Sequence, residues 1–547
     1  SVFMSGARHV VGRRGELTIR DSHLQPVVGK LRIEVAGTAD AMLELAGYEP
    51  INVGRFIDIG PHDLSGEVSG VVTAAIPFQR DLPPDSVDWK VDLDYQGLAL
   101  AKPFHGQTVT AAVGSISVDP AKAVIDAKAN LNGTPATVHL VEPLRRGDPS
   151  QRQRRIAMQM DDKARSAIVP GLDMLLTGTT EVQLDEAAQE KRAIKARLDR
   201  ATLNLPWVGW SKGSGVPANV SFAMATTGNR TELSDFRLSG DTFGATGALS
   251  LVGGELVSAR FPTARLNRND DFSLDVKSDG KRYTVTVRGR SIDARSVIKL
   301  YGKDATAGAA STGAGKQINV DLAVETMTGF HGEVLRDVRL VYAGTGARTD
   351  LLQFSATTSS GRPVRLKDSR ENDARAISIS SSDAGAVLRF LDIYERMEGG
   401  EIKLALNGTG NAPLSGSVDA RDFWLVDEPR LRSIVSTPAT DDGRSLNQTL
   451  RQRVDTQRVH FERGYSRIVK DDGFLSLDRG ILRGPMIGAT FQGVLYDRQD
   501  NMAMTGTFMP AYGVNRLFGE IPLIGRILGN GRDRGLIGIT FRLAGKA

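Results

Sequence analysis

Phe272-Ser273-Leu274-Asp275-Val276-Lys277, then Ser278-Asp279-Gly280-Lys281, then Arg282-Tyr283-Thr284-Val285-Thr286-Val287-Arg288 reads as a β-hairpin. Side chains alternate between the faces of a strand, so Phe272, Leu274 and Val276 share one face, and Tyr283, Val285 and Val287 repeat it on the return. Asp279-Gly280 supplies the turn, because Asp-Gly adopts the backbone twist that two-residue hairpin loops require. The same alternation runs through Leu31-Arg32-Ile33-Glu34-Val35 and Ile318-Asn319-Val320-Asp321-Leu322-Ala323-Val324. It predicts antiparallel strands with one dry face and one wet face.

Working outward, 59 glycines in 547 residues are about 11%, against a usual value of about 7%. They are spread among β-branched residues and read as turns and bulges between many short strands. A weaker regularity, apolar-x-Asp-x-x-Leu, recurs at Ile19 to Leu24, Leu233 to Leu238 and Leu335 to Leu340, and more loosely at Ala420 to Leu425. Its aspartates, Asp21, Asp235, Asp337 and Asp422, are expected to sit at bulges that re-aim the strand, since no partner residues recur beside them. Helical signals are short: Asp40 to Ala46, Asp293 to Leu300 opening on an Asp cap, Asp383 capping Ala384 to Met397, and Ser445 to Val454.

The length predicts more than one domain or an extended repeat. The low-complexity stretch Lys303 to Lys316 is the best linker, or else a mobile loop on one continuous sheet, and it separates a β-rich region 1–302 from a second β-rich region 317–547 that ends in the tail 508–547. A second break is the charge run from Glu142 to Arg155, which reads as a solvated loop ahead of the alternative, a contact for lipid headgroups. The absence of cysteine excludes disulfides and thiolate metal sites. A formal net charge of +5 is too dilute for a nucleic-acid partner, and it permits attraction to anionic lipid. No run of 18 apolar residues is present, and the opening Ser1-Val2-Phe3-Met4-Ser5-Gly6 has neither a basic nor an apolar leader region. The chain therefore reads as the interior of a longer protein whose anchor or signal lies upstream.

A search for chemistry returns no catalytic constellation. The seven histidines are scattered singly, with no metal-binding spacing. Gly313-Ala314-Gly315-Lys316 lacks the spacing and the hydroxyl residue of a phosphate loop. Asp161-Asp162 and Asp441-Asp442 precede helix-like stretches, where capping explains them. A glycosidase needs two carboxylates across a sugar cleft, usually with aromatic platforms, and aromatics are only 6% here. The expectation is a non-catalytic protein without cofactor or metal.

The C-terminal segment carries a different signal. Tyr512, Leu517, Phe518, Ile521, Leu523, Ile524, Ile527 and Leu528 make an apolar stretch broken by Gly and Pro and interleaved with Arg516 and Arg526. It reads equally as a helical plug for the end of a sheet and as a membrane-facing tip. Pro510-Ala511-Tyr512-Gly513-Val514-Asn515, Ile521-Pro522-Leu523-Ile524-Gly525 and the strand from Gly535 to Phe541 resemble the ending of AsmA-like, YhdP-type proteins, which are related to TamB. Two passages resemble the body of that family: Ala41 to Leu100, with Gly66-Glu67-Val68-Ser69-Gly70 and Ile76-Pro77, and Leu205 to Lys212. The resemblance implies an inner-membrane-anchored, mostly periplasmic protein. Its long curved antiparallel sheet would form an apolar, taco-like groove that passes phospholipid toward the outer membrane, with other envelope proteins as further partners. This chain departs from the family by lacking the anchor helix. The groove candidates are Phe272, Leu274, Val276, Tyr283, Val285 and Val287. The competing expectations are a non-catalytic envelope scaffold or outer-membrane assembly factor and, last, a carbohydrate-active or adhesion β-protein.

Overall fold

The computed structural model describes residues 2–3, 9–19, 26–48, 51–55, 57–79, 87–103, 107–144, 152–168, 175–187, 192–205, 208–301, 316–346, 348–410, 412–429, 431, 457–485, 487–510 and 539–546. The chain is mainly β, with four short α-helices among the described residues. Packing divides it into two compact units. The first is Ser1–Asn204 with Lys212–Asp241 and Ala248–Glu255; the second is Leu205–Ser211 with Thr242–Gly247 and Leu256–Ala547. In each, the strands form an open antiparallel sheet that does not close into a barrel.

The hairpin that decides the fold forms with the expected pairing, but Gly280 and Lys281, rather than Asp279 and Gly280, stand at the centre of its turn. Asp271–Ser278 pairs antiparallel with Arg282–Asp293, and Leu274 faces Val287 while Val276 faces Val285. At the turn, the Asp279 carboxylate accepts from the Lys281 amide at 3.0 Å and the Arg282 amide at 2.8 Å. Gly280 takes the left-handed φ of +90° that a side chain would resist. The next strand, Gln317–Thr328, departs from the antiparallel expectation. It pairs in parallel with Arg282–Asp293 and antiparallel with Val334–Thr345. The reason is the connection: residues 294–316, which include a helix (Arg295–Tyr301), are long enough for the crossover that parallel neighbours need. The stretch 303–316 thus joins two strands that are hydrogen-bonded to each other within the second unit.

Asp235, Asp337 and Asp422 all take left-handed φ values, 54°, 54° and 50°. At Asp235 and Asp337 the ladder slips: the pairing skips from Ser234 to Arg237 and from Arg336 to Arg339. Asp21 lies outside the described residues. Aspartate tolerates this conformation through local hydrogen bonding, which a β-branched residue lacks. The slip has a packing consequence. Leu335 and Val338, three residues apart, are both buried, at 3% and 0% exposure, because the extra residue turns both toward the same face. Asp337→Gly is expected to leave the urea midpoint unchanged or slightly raised, while Asp337→Val loses about 1–2 kcal/mol. Equal stability of the two variants would remove the bulge as the reason for the aspartate.

The helices gather at one end of the strands within each unit. In the first, α1 (Ala39–Ala46) buries Ala39, Ala41 and Met42 against Val10, Val35, Val68 and Tyr95. The Tyr95 hydroxyl donates to the Asp126 carbonyl at 2.9 Å, and burial pushes its pKa up to about 12. There α2 (Asp162–Ile168) is capped by Asp161, whose carboxylate accepts from the Ala164 amide at 2.8 Å. Buried Arg165 ties it to the strand Leu176–Gly178 by donating to the Leu176 carbonyl at 2.9 Å and the Gly178 carbonyl at 2.6 Å. In the second unit, α3 is the helix Arg295–Tyr301 and α4 spans Ala384–Phe390. Asp383 caps α4, its carboxylate accepting from the Ala386 amide at 3.1 Å. This helix is shorter than the expected 384–397, because Met397 already opens a strand, Met397–Thr409. The expected helix Ser445 to Val454 lies outside the described residues.

Candidate functional site

Direct cross-strand partners lie on the same face, so the pairing registers convert scattered apolar residues into rows. In the second unit one row begins at Leu274, Val287, Leu322 and Leu340. It continues through Phe354, Leu366 and Ile379 to Leu404 and Val418, one residue from each successive strand. At about 4.8 Å per strand it is roughly 40 Å long. A parallel row one step nearer the hairpin turns holds Val276, Val285, Val320, Tyr342 and Leu352. Tyr283 and Phe272 share this face at its two edges, with Phe272 opposite Gly289.

Most of these side chains are half-buried. Among the six expected groove residues only Val287 reaches 8% exposure. The closed core lies to one side, at the helix end, where Val324, Leu335, Val338 and Val364 pack against Val387 and Phe390 of α4. Toward the hairpin turns no helix covers the rows among the described residues. The opposite parity is wetter still: Ala374, Ala376 and Ser378 are exposed while their neighbours Arg375, Ile377 and Ile379 are half-buried. The face is therefore sheltered without being sealed, as expected for an apolar sheet surface lacking a second layer.

The first unit repeats the pattern. Tyr95, Gly114, Ala127 and Val138 lead into Ile156, Leu184, Ile194 and Phe222, each paired with the next. Beside this row, on the same face and nearer the turns, stand Arg154, Glu186 and Arg192 in direct register. Glu142 accepts from Arg154 at 2.5 Å and Arg152 at 2.8 Å, so part of the run read as a solvated loop is an ion-paired border on two strands. The second unit has a counterpart in Asp368, Arg370 and Arg375, which continue the face past Leu366 and Ile379.

Sequence reading found the first two strands of the long row and missed Leu322, Leu340, Phe354, Leu366, Ile379, Leu404 and Val418 as its continuation. Each sits in a recognisable alternating run, but only the register shows that they join. The tip candidates Tyr512, Leu517, Phe518, Ile521, Leu523, Ile524, Ile527 and Leu528 lie outside the described residues. A depression of about 370 Å³ lined by Arg282, Thr284, Gln317, Asn319 and Val341 opens mainly on the opposite, polar face of the same strands.

The titratable groups are engaged structurally. His139 meets Asp126 and His331 meets Asp392, each at 2.7 Å and near the surface. Buried Lys212 donates to the Ala201 carbonyl at 2.6 Å, and desolvation holds its pKa below the usual lysine range. Among the described residues no group of three or more His, Cys, Asp or Glu is placed to hold a metal ion, and no helix is long and apolar enough to cross a membrane. No family model, curated protein or solved structure matches the chain.

Proposed function

We propose that the chain is a non-catalytic lipid-transfer segment that carries phospholipid acyl chains on its apolar sheet face. The observation that carries this reading is the row from Leu274 to Val418, which is half-buried except at Val287, touches the closed core through Leu322 and Phe354, and runs a length that exceeds any single binding pocket. Each acyl CH₂ taken out of water on such a face contributes about 0.8 kcal/mol. A chain of methylenes is thus held without a specific site and slides from one set of strand residues to the next. The compartment and direction, a periplasmic path between inner and outer membranes, rest on the resemblance of the 510–541 segment to AsmA-like, YhdP-type proteins.

The test is phospholipid recovered with the purified chain, combined with photoreactive residues on the two faces. A photoreactive residue at Leu340, on the row, is expected to crosslink phospholipid, and one at exposed Arg339, of opposite parity, is not. No lipid recovered and no crosslink from Leu340 would leave the scaffold or assembly-factor reading in its place. Equal crosslinking from both positions would show adhesion of lipid rather than a path.

A further inference from the structure

The strand Pro363–Glu371 breaks its own alternation. Leu366 belongs to the apolar row, but the next two positions on that face are Asp368 and Arg370, and across the hairpin the matching positions are Ile379, Ile377 and Arg375. Asp368, with its side chain 8% exposed, accepts from Arg375 in a fork, at 3.0 Å from Nε and 2.6 Å from a terminal nitrogen. That pair is neutral as a unit. Arg370 stands directly opposite Arg375, and its Nε is buried with no hydrogen-bond partner. No carboxylate among the described residues pairs with it. Asp350, one strand away, is taken by Arg348 at 2.8 Å, and Glu371 has the opposite parity. Like charges directly opposite are unfavourable, and so is a buried donor without an acceptor. Both penalties are relieved by one oxyanion that takes the unengaged guanidinium of Arg370 and the terminal nitrogen that Asp368 leaves unused on Arg375, because a guanidinium fork matches a phosphate.

We propose that Arg370 and Arg375 form a headgroup site for a phosphodiester at the turn end of the second unit, with the acyl chains of the same molecule lying on the adjoining row through Leu366 and Ile379. The proposal rests on the lipid-carrying reading and names the chemistry of its substrate. Asp368 pairs with Arg375 and the Asp472 carboxylate also acts on that guanidinium, so the positive charge left for a singly charged phosphodiester is that of Arg370. The site sits where the apolar face turns polar, which is the arrangement an amphiphile requires. Its border of arginines has a counterpart in the first unit, but Glu142 and Glu186 engage the arginines there. Arg370 is the group left to the ligand.

The experiment uses the full chain with a photoreactive residue at Ile377. The probes are dioleoylphosphatidylglycerol, dioleoylglycerol with the same acyl chains and no phosphate, and inorganic phosphate as competitor. The parent chain is expected to capture the phospholipid about tenfold better than the diacylglycerol, as for charge-assisted hydrogen bonds. Arg370→Gln is expected to bring that ratio near one while diacylglycerol capture holds, and Arg370→Lys to keep part of the preference. The thermal midpoint of Arg370→Gln stays level or rises, since no pair is lost. A parent that captures both lipids equally overturns the headgroup site and leaves the lipid path standing. A parent that captures neither removes the lipid reading itself. Saturable binding of inorganic phosphate that depends on Arg370, without lipid capture, marks a free-phosphate site and also overturns the proposal.

Discussion

Phe461→Ala is expected to cost about 3–5 kcal/mol of stability in the second unit, whereas Leu366→Ala costs less than half as much. Phe461 is 1% exposed and stacks on Phe423 with ring centroids 5.4 Å apart. It belongs to a closed cluster with Met397, Val459, Ile487 and Phe508, against which the start of α4 packs through Ala384. Truncation there removes transfer energy, leaves a cavity and breaks an aromatic pair worth about 0.5–1.5 kcal/mol beyond its area. Leu366 is apolar and mid-strand too, but it is half-buried on the open row. Water already reaches it, so the folded state has less transfer energy to lose and no sealed cavity to create. Hydrogen exchange of the amides in Arg458–Asp471 and Pro363–Glu371, read alongside urea midpoints, separates the two effects. Equal losses would make the row an ordinary core and remove the physical basis for a lipid path.

The contrast between those two residues also shows how much of the molecule is legible in its sequence. The Asp279 turn and the alternation on either side of it are local, so the hairpin reads directly from residue types. The bulges read nearly as well, because an aspartate that breaks alternation inside a strand has few other uses. The parallel pairing of Gln317–Thr328 does not read. Its own residues suit either neighbour, and the outcome depends on where the connection 294–316 delivers the chain. The row fails to read for a related reason. Leu322, Phe354 and Leu404 are each plainly inward by parity, but a one-residue change of register would scatter them between faces. Arg370 had a visible signal, a charge at the apolar parity of Val364-Arg365-Leu366-Lys367-Asp368-Ser369-Arg370. Read alone, that signal is equally the fraying end of a strand. Its meaning comes from Arg375 across the turn and from the absence of a carboxylate for its buried Nε.

Val285→Asp combined with Leu340→Asp is expected to abolish phospholipid crosslinking from a photoreactive residue at Leu404 while the chain still folds. The two positions lie on adjoining rows of the same face, on the strands Arg282–Asp293 and Val334–Thr345. A carboxylate at a half-buried position keeps part of its hydration, so the folded chain tolerates it with a modest loss of stability. An acyl chain laid over the same position strips that hydration, and burying an unpaired charge costs several kcal/mol. Against about 0.8 kcal/mol per methylene, one such charge cancels the gain from several methylenes. Two on adjoining rows leave no apolar detour on that part of the face. Capture is therefore expected to fall by more than tenfold, with the circular-dichroism spectrum unchanged and the thermal midpoint within a few degrees of the parent. The paired isosteric control, Val285→Thr with Leu340→Met, adds no charge and should retain capture. Unfolding of the Asp variant would place these residues in a sealed core. A folded variant with undiminished crosslinking at Leu404 would mean that lipid reaches that strand without travelling along the row. The separate outcomes make the continuity of the face, rather than the presence of apolar residues on it, the property under test.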